Sequence, residues 1–279
     1  MLHSEFSWLT QQGIKIFGQI WQPESGSAPK AVVALAHGLG EHSSRYAHVG
    51  DFFALQGIAT VAYDRQGHGR SEGTRGHVAD YEHFLDEVQE LVRQAETRFP
   101  NLPIILYGHS MGGNIALNYA LRRRPTNIKA LIATSPIVTL AFTPPPIMIM
   151  LGKLTRKIYP KFTQKNQVDA TALSRYAQVG IDYTNDPLVH DSLTSAAGLG
   201  ILEYAEWLTK NAGKVPFPFL LMHGTADRVT NSEGTKWFAE NYTGDVTLKL
   251  WDGYFHEMHN DIGKEAVMQY AVDFILKKI

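Results

Sequence analysis

Cysteine is absent from the 279 residues. That rules out disulfides, a thiolate nucleophile and any Cys-based metal site. A surplus of charge of either sign is missing too: 26 Lys and Arg stand against 27 Asp and Glu, for a formal net charge of −1. Nothing global therefore points to nucleic acid. The one basic run, Arg122-Arg123-Arg124, falls at the end of an expected helix, where cations suit the helix dipole. No apolar stretch reaches the roughly 18 residues of a membrane span. Met1-Leu2-His3-Ser4-Glu5 has no cationic segment leading into an apolar one, so a secretory signal is not expected and a cytoplasmic location is. The chain shows no internal repeat and no low-complexity linker. With 44% apolar and 19% charged residues, it is long enough for one large core, or for one domain with an insertion.

The most informative stretch is Ile104–Asn114. Ile104–Tyr107 is a short apolar run that reads as a buried strand, and the breaker-free residues from Asn114 to Leu121 read as a helix. Between them lies Gly108-His109-Ser110-Met111-Gly112, a G-x-S-x-G. A serine there must turn the chain sharply from strand to helix, and flanking glycines remove the Cβ atoms that would clash. Its hydroxyl would stand at the end of the strand and the start of the helix, where free N–H groups favour developing negative charge.

Further strands are expected at Ile14–Trp21, Ala31–Ala36, Ile58–Tyr63, Ile128–Ala133, Phe219–Met222 and Val246–Leu250. Helices are expected at Ser43–Leu55, Asp80–Arg98, Glu233–Asn241 and Lys264–Lys277, and a turn over Gln22–Lys30. The alternation predicts an α/β fold, a mostly parallel sheet flanked by helices on both faces. Ligands in such sheets bind at the carboxyl ends of strands, where His37, Asp64, Ser110, Asp227 and Asp252 all fall. The beat breaks between Ile137 and Gly213. An inserted helical cap is expected over 137–213, on a core made of 1–136 and 214–279.

A serine hydroxyl needs a base to take its proton, and the base needs a carboxylate to fix its tautomer. In hydrolases with such an elbow the chain order is Ser, acid, His. Asp227, just past a strand in H-G-T-A-D, and His256, past the last strand, fit that order. Asp252 is an alternative acid, less suited because it opens an Asp-Gly turn, and His259 is an alternative base. His190 and His223 are poorer candidates, the latter bracing its loop; His68 and His109 read as structural. The oxyanion donors would be the N–H groups of Met111, the residue after the nucleophile, and Leu39, in the glycine-rich His37-Gly38-Leu39-Gly40. Gly67-His68-Gly69 lacks the lysine of a phosphate loop, and His256-Glu257-Met258-His259 has the wrong spacing for an H-E-x-x-H zinc helix. No metal is expected.

Five segments carry a more specific signal: His37-Gly38-Leu39-Gly40-Glu41-His42-Ser43-Ser44-Arg45-Tyr46, Asp64-Arg65-Gln66-Gly67-His68-Gly69-Arg70-Ser71-Glu72-Gly73, Gly108-His109-Ser110-Met111-Gly112-Gly113, Ser135-Pro136, and His223-Gly224-Thr225-Ala226-Asp227-Arg228-Val229. Together they resemble the monoacylglycerol lipase branch of the α/β-hydrolases. The resemblance implies an α/β-hydrolase fold, no cofactor, and hydrolysis of a single fatty acyl ester by Ser110, Asp227 and His256. It also implies that Glu41, Arg45 and His259 line the polar, glycerol-recognising end of the pocket. Taken from spacing alone, Glu41 and Arg45 form an i, i+4 ion pair at a helix start.

The segment from Ser135 to Gln167 holds Leu140, Phe142, Ile147, Met148, Ile149, Met150 and Leu151, with Lys153, Arg156, Lys157, Lys161 and Lys165 and no acidic residue. Apolar and basic together, it suits a lid in transient contact with a membrane surface. Lysophospholipase or general carboxylesterase activity would use the same triad. A non-catalytic binding protein on a hydrolase scaffold would not need it.

Overall fold

The computed structural model describes residues 1–279 apart from Ser25 and Ser27, so part of the turn expected over Gln22–Lys30 lies outside the described residues. Its main sheet has eight strands: β1 (Leu2–Leu9), β2 (Lys15–Gln22), β3 (Ala31–Ala36), β4 (Ile58–Tyr63), β5 (Ile104–His109), β6 (Ala130–Thr134), β9 (Phe219–Gly224) and β10 (Val246–Trp251). Their order is β1-β2-β4-β3-β5-β6-β9-β10. All pairs from β4 to β10 are parallel; β1–β2 and β2–β4 are antiparallel. Every residue of β3, β4, β5, β6 and β9 is buried. That is why these runs are unbroken apolar rather than alternating: both faces are covered.

One face is covered by α2 (Glu82–Arg98), α3 (Met111–Arg123), α6 (Ser195–Leu208) and α7 (Ser232–Asn241), the other by α1 (Ala47–Leu55) and α8 (Lys264–Lys278). The helix expected over Ser43–Leu55 begins as a 3-10 turn, Ser43–Tyr46, before α1. Asp64 pins Ser43 there through both its backbone N–H (2.7 Å) and its hydroxyl (2.6 Å).

The region between β6 and β9 divides in two. α4 (Pro146–Ile158), the short hairpin of β7 (Thr163–Lys165) and β8 (Ser192–Thr194), and α5 (Ala177–Asn185) form a layer outside the core. α6 does not belong to that layer: Ala197, Ile201, Ala205 and Leu208 pack in the same apolar cluster as α2 and α3. The sequence irregularity that marks 137–213 therefore includes one ordinary sheet-covering helix.

Candidate active site

Ser110 closes the turn between β5 and α3 with φ 55° and ψ −116°, a left-handed φ that a side chain resists. The flanking glycines make the turn possible. A Cβ on Gly108 would meet the Gly112 carbonyl oxygen at 2.3 Å, and one on Gly112 would meet the Ala36 carbonyl oxygen at 2.1 Å. Ser110 Oγ lies 2.9 Å from His256 Nε2, and His256 Nδ1 lies 2.7 Å from Asp227 Oδ2. Since a carboxylate only accepts, Nδ1 carries the proton and Nε2 is free to accept from the serine.

Asp227 is held from several sides. Oδ1 accepts the N–H groups of Val229 (2.7 Å) and Thr230 (3.0 Å); Oδ2 faces the Thr230 hydroxyl (2.9 Å) and His223 Nε2 (3.1 Å). His223 thus braces the acid itself, with its Nδ1 2.7 Å from the Thr235 hydroxyl. Burial works to raise the Asp227 pKa, but His256 and His223 together hold it far below the usual carboxylate range. Burial likewise works against a charged His256, yet the charge and hydrogen bond of Asp227 raise it above its ordinary value. His109, whose ring lies 4.8 Å from that of His256 at a tilt of 53°, is pushed down to about 3 by burial and by that neighbour, so it stays neutral. Its Nδ1 lies 3.0 Å from the Thr134 hydroxyl.

Leu39 and Ser110 share the wall of one cavity. A Cβ on Gly38 would meet Glu41 Oε1 at 2.6 Å while sitting in ordinary contact, 3.4 Å, with Ser110 Cβ, so the glycine leaves room for the Glu41 carboxylate beside the serine. Neither the Leu39 nor the Met111 N–H has an acceptor among the described residues. The cavity runs from Ser110 under the outer layer, between Ile137, Leu140, Met148, Ile149 and Leu199, with Gln164, Asn166 and Arg228 also on its wall.

Glu41, Arg45 and His259 sit behind the serine, off that wall. Glu41, 2% exposed, accepts the Gly38 N–H (2.5 Å), the Tyr46 hydroxyl (2.7 Å) and Arg45 (2.6 Å). Arg45 makes a two-pronged pair with Glu257 at 2.7 Å and 2.7 Å. Burial alone would raise Glu257; the Arg45 charge holds it down at about 2. His259 stacks on Tyr46 with ring centres 4.7 Å apart, and burial with the nearby His109 keeps it neutral. Asp252 is exposed and, among the described residues, reaches only the Thr225 hydroxyl, at 3.2 Å. Among the described residues no group of three or more His, Asp or Glu is arranged to hold a metal ion.

Three residues matter here that sequence reasoning left without a role. Glu257 caps Arg45, and its one signal was adjacency to His256. Thr230 touches Asp227. Ser135 donates its hydroxyl to the His256 carbonyl (2.8 Å), fixing the histidine loop to the end of β6.

Residues 27–263 match the family described as Serine aminopeptidase, S33 (Hydrolase_4). A monoacylglycerol lipase of Mycolicibacterium smegmatis is 32% identical over 99% of this chain and 98% of its own length. The chain belongs to the monoacylglycerol lipase family of α/β-hydrolases. The crystal structure of a Paleococcus ferrophilus monoacylglycerol lipase superposes with a TM-score of 0.85 at 30% identity, covering 95% of this chain and 99% of that one. An uncharacterized abhydrolase domain-containing protein of Dictyostelium discoideum is 36% identical over 93% of the chain, which spans only 27% of that longer protein. The protein is accordingly a carboxylic ester hydrolase with the α/β-hydrolase fold.

Proposed function

We propose that this family member hydrolyses monoacylglycerols to fatty acid and glycerol through an acyl-enzyme on Ser110. The observation that carries the reading is the unbroken Ser110–His256–Asp227 hydrogen-bonded line opening on a largely apolar cavity. Relatives named as monoacylglycerol lipases support the substrate class. In this reading Ser110 attacks the ester carbonyl while His256 takes its proton and Asp227 stabilises the imidazolium. The Leu39 and Met111 N–H groups hold the oxyanion. His256 then gives its proton to the departing glycerol oxygen and activates the water that frees the fatty acid. Glu41, Arg45 and His259 serve the polar end of the site from behind: the charges of Glu41 and Arg45 are already paired, and His259 is neutral and stacked on Tyr46, which supports a part in shaping it without direct contact to glycerol.

The test is a substrate series on the intact protein. Turnover should be highest on monoacylglycerols of one range of chain length and fall sharply on diacyl- and triacylglycerols and on lysophosphatidylcholine. Equal or faster turnover of lysophosphatidylcholine would transfer the protein to the lysophospholipases. Ser110→Ala should abolish both turnover and fluorophosphonate labelling.

The outer layer supports a second element, delivery of substrate at a lipid surface. α4 has no fully buried residue. Its inner face, Met148, Ile149 and Gly152, lines the cavity. Ile147, Leu151, Leu154 and Ile158, spaced 4, 3 and 4 apart, form a second apolar stripe that is half or more exposed. Lys153 and Lys157 flank it, while Arg156 is taken by Glu203 at 2.8 Å. An apolar stripe edged by cations is the pattern of a helix lying in a membrane interface. No helix among the described residues is long and apolar enough to cross a membrane.

A further inference from the structure

Arg65 is fully buried at the end of β4, and no carboxylate lies within ion-pair distance of its guanidinium among the described residues. The buried Glu87 carboxylate feels the Arg65 charge without pairing to it directly, and for a buried cation lacking a direct ion pair an apolar side chain of similar size is often the more stable choice. Its partners show what it does instead. One arm, Nη1, donates to the His37 carbonyl and the other, Nη2, to the Gly38 carbonyl. The Arg65 N–H donates to His37 Nε2 at 3.0 Å, so the His37 ring proton is on Nδ1, which donates to the Gly38 carbonyl at 2.8 Å. Burial and the Arg65 charge keep that ring neutral.

The peptide plane converts these bonds into a statement about the active site. In a trans peptide the C=O and the following N–H point in opposite directions, and no cis peptide occurs among the described residues. Two successive carbonyls turned onto one guanidinium leave two successive N–H groups turned the other way, a concave arrangement suited to an anion. The first of them, Gly38 N–H, meets Glu41 Oε1 at 2.5 Å. The second, Leu39 N–H, is left without an acceptor on the side of the loop that shares a cavity wall with Ser110. We propose that Arg65 is a positioning residue for catalysis: by clamping the His37 and Gly38 carbonyls from behind, it aims the Leu39 N–H at the oxyanion. The planar fork of arginine fits two adjacent carbonyls; a lysine ammonium, a single point, does not.

The proposal rests on the reading of Leu39 as an oxyanion donor to an ester attacked by Ser110. Arg65→Lys and Arg65→Met are compared with the parent in kcat and KM on a monoacylglycerol. They are also compared in affinity for an alkylboronic acid, which forms an anionic tetrahedral adduct on the serine, and for an uncleavable ether analogue of the substrate, which is neutral. Losing an oxyanion donor lowers kcat on the order of 10²–10³-fold. Arg65→Met should lose kcat and boronate affinity by a common factor of about that size, Arg65→Lys should fall between it and the parent, and KM and ether binding should hold within about threefold. Loss of ether binding in proportion to kcat, kcat within threefold of the parent, or failure of both variants to fold would assign Arg65 to stability alone and overturn the proposal. Ser110→Ala separates this from the parent reading: retained turnover there would sink the serine mechanism itself, whatever Arg65 does.

Discussion

The two sides of the space around Ser110 are built on opposite plans. Behind it, Glu41, Arg45, Tyr46 and Glu257 form a closed polar group in which every charge has its partner. In front, α4 offers apolar side chains to the cavity on one face and to solvent on the other, with Ile158 75% exposed. A group that must hold reacting atoms steady needs hydrogen bonds that fix both loops, and a buried network supplies this at the cost of desolvating its charges. A surface that must admit a fatty chain needs area and slack; the half-exposed Ile and Leu side chains of α4 supply area, and Met148 on the cavity wall supplies slack. Rigidity is thus concentrated behind the serine and adaptability in front of it, which predicts that substitutions on the two sides will fail in different ways.

The largest effect should come from the pair that joins the rear group to the chemistry. Asp227→Asn keeps the shape but reverses the tautomer imposed on His256, and kcat should fall about 10⁴-fold. The same pair sets the pH profile. His256 works as a base only when neutral, and Asp227 raises its pKa above the ordinary value. The acid limb of kcat/KM in the parent should therefore lie above the ordinary histidine range, activity falling as pH drops through it. An acid limb at or below an unperturbed histidine would contradict the arrangement.

Next in size is the rear network. Arg45→Met leaves Glu41 and Glu257 buried without their cation, and removing one partner of a buried pair costs about 3–5 kcal/mol. Thermal unfolding should report it. The comparison is sharpened by measuring two substrates. If the network acts from behind, monoacylglycerol and an activated aryl ester should lose turnover alike. A loss confined to monoacylglycerol, with a raised KM, would restore direct headgroup contact. Leu154→Ser on α4, by contrast, should leave the unfolding temperature nearly unchanged, because that side chain is 53% exposed.

Legibility in the sequence follows the same division. The elbow could be read because G-x-S-x-G is a compact motif, although only the Gly108 clash, with the Gly112 carbonyl, is local; the Gly112 clash is with the distant Ala36 and His37 carbonyls. The parallel strands could be read because burial on both faces leaves a continuous apolar run. β1 escaped, since an edge strand with one packed face offers only Phe6 and Trp8 between polar residues. The rear network escaped in part because it joins residues 212 apart in the chain, Arg45 and Glu257, and no local pattern encodes that meeting. Arg65 lay within a recognised motif, but the motif does not tell which carbonyls its side chain will hold. The limits of the outer layer were blurred because α6 reads like its neighbours until its packing against α3 is seen.

The smallest expected effect lies at the front. Lys153 and Lys157 have no carboxylate partner among the described residues, unlike Arg156 and Lys165. Near an anionic lipid surface each such cation contributes about 1 kcal/mol, and salt weakens it. Reversing both charges, Lys153→Glu with Lys157→Glu, should therefore weaken binding to vesicles containing phosphatidylserine by at least about tenfold, with turnover of a soluble short-chain ester unchanged. Replacing Ile147 and Leu151 by Ser instead should weaken binding to neutral vesicles as well, since it removes the apolar stripe. The two variants separate attraction from insertion. Binding untouched by either would mean that the exposed face of α4 does not meet lipid, and that the cavity fills from molecules already free in water.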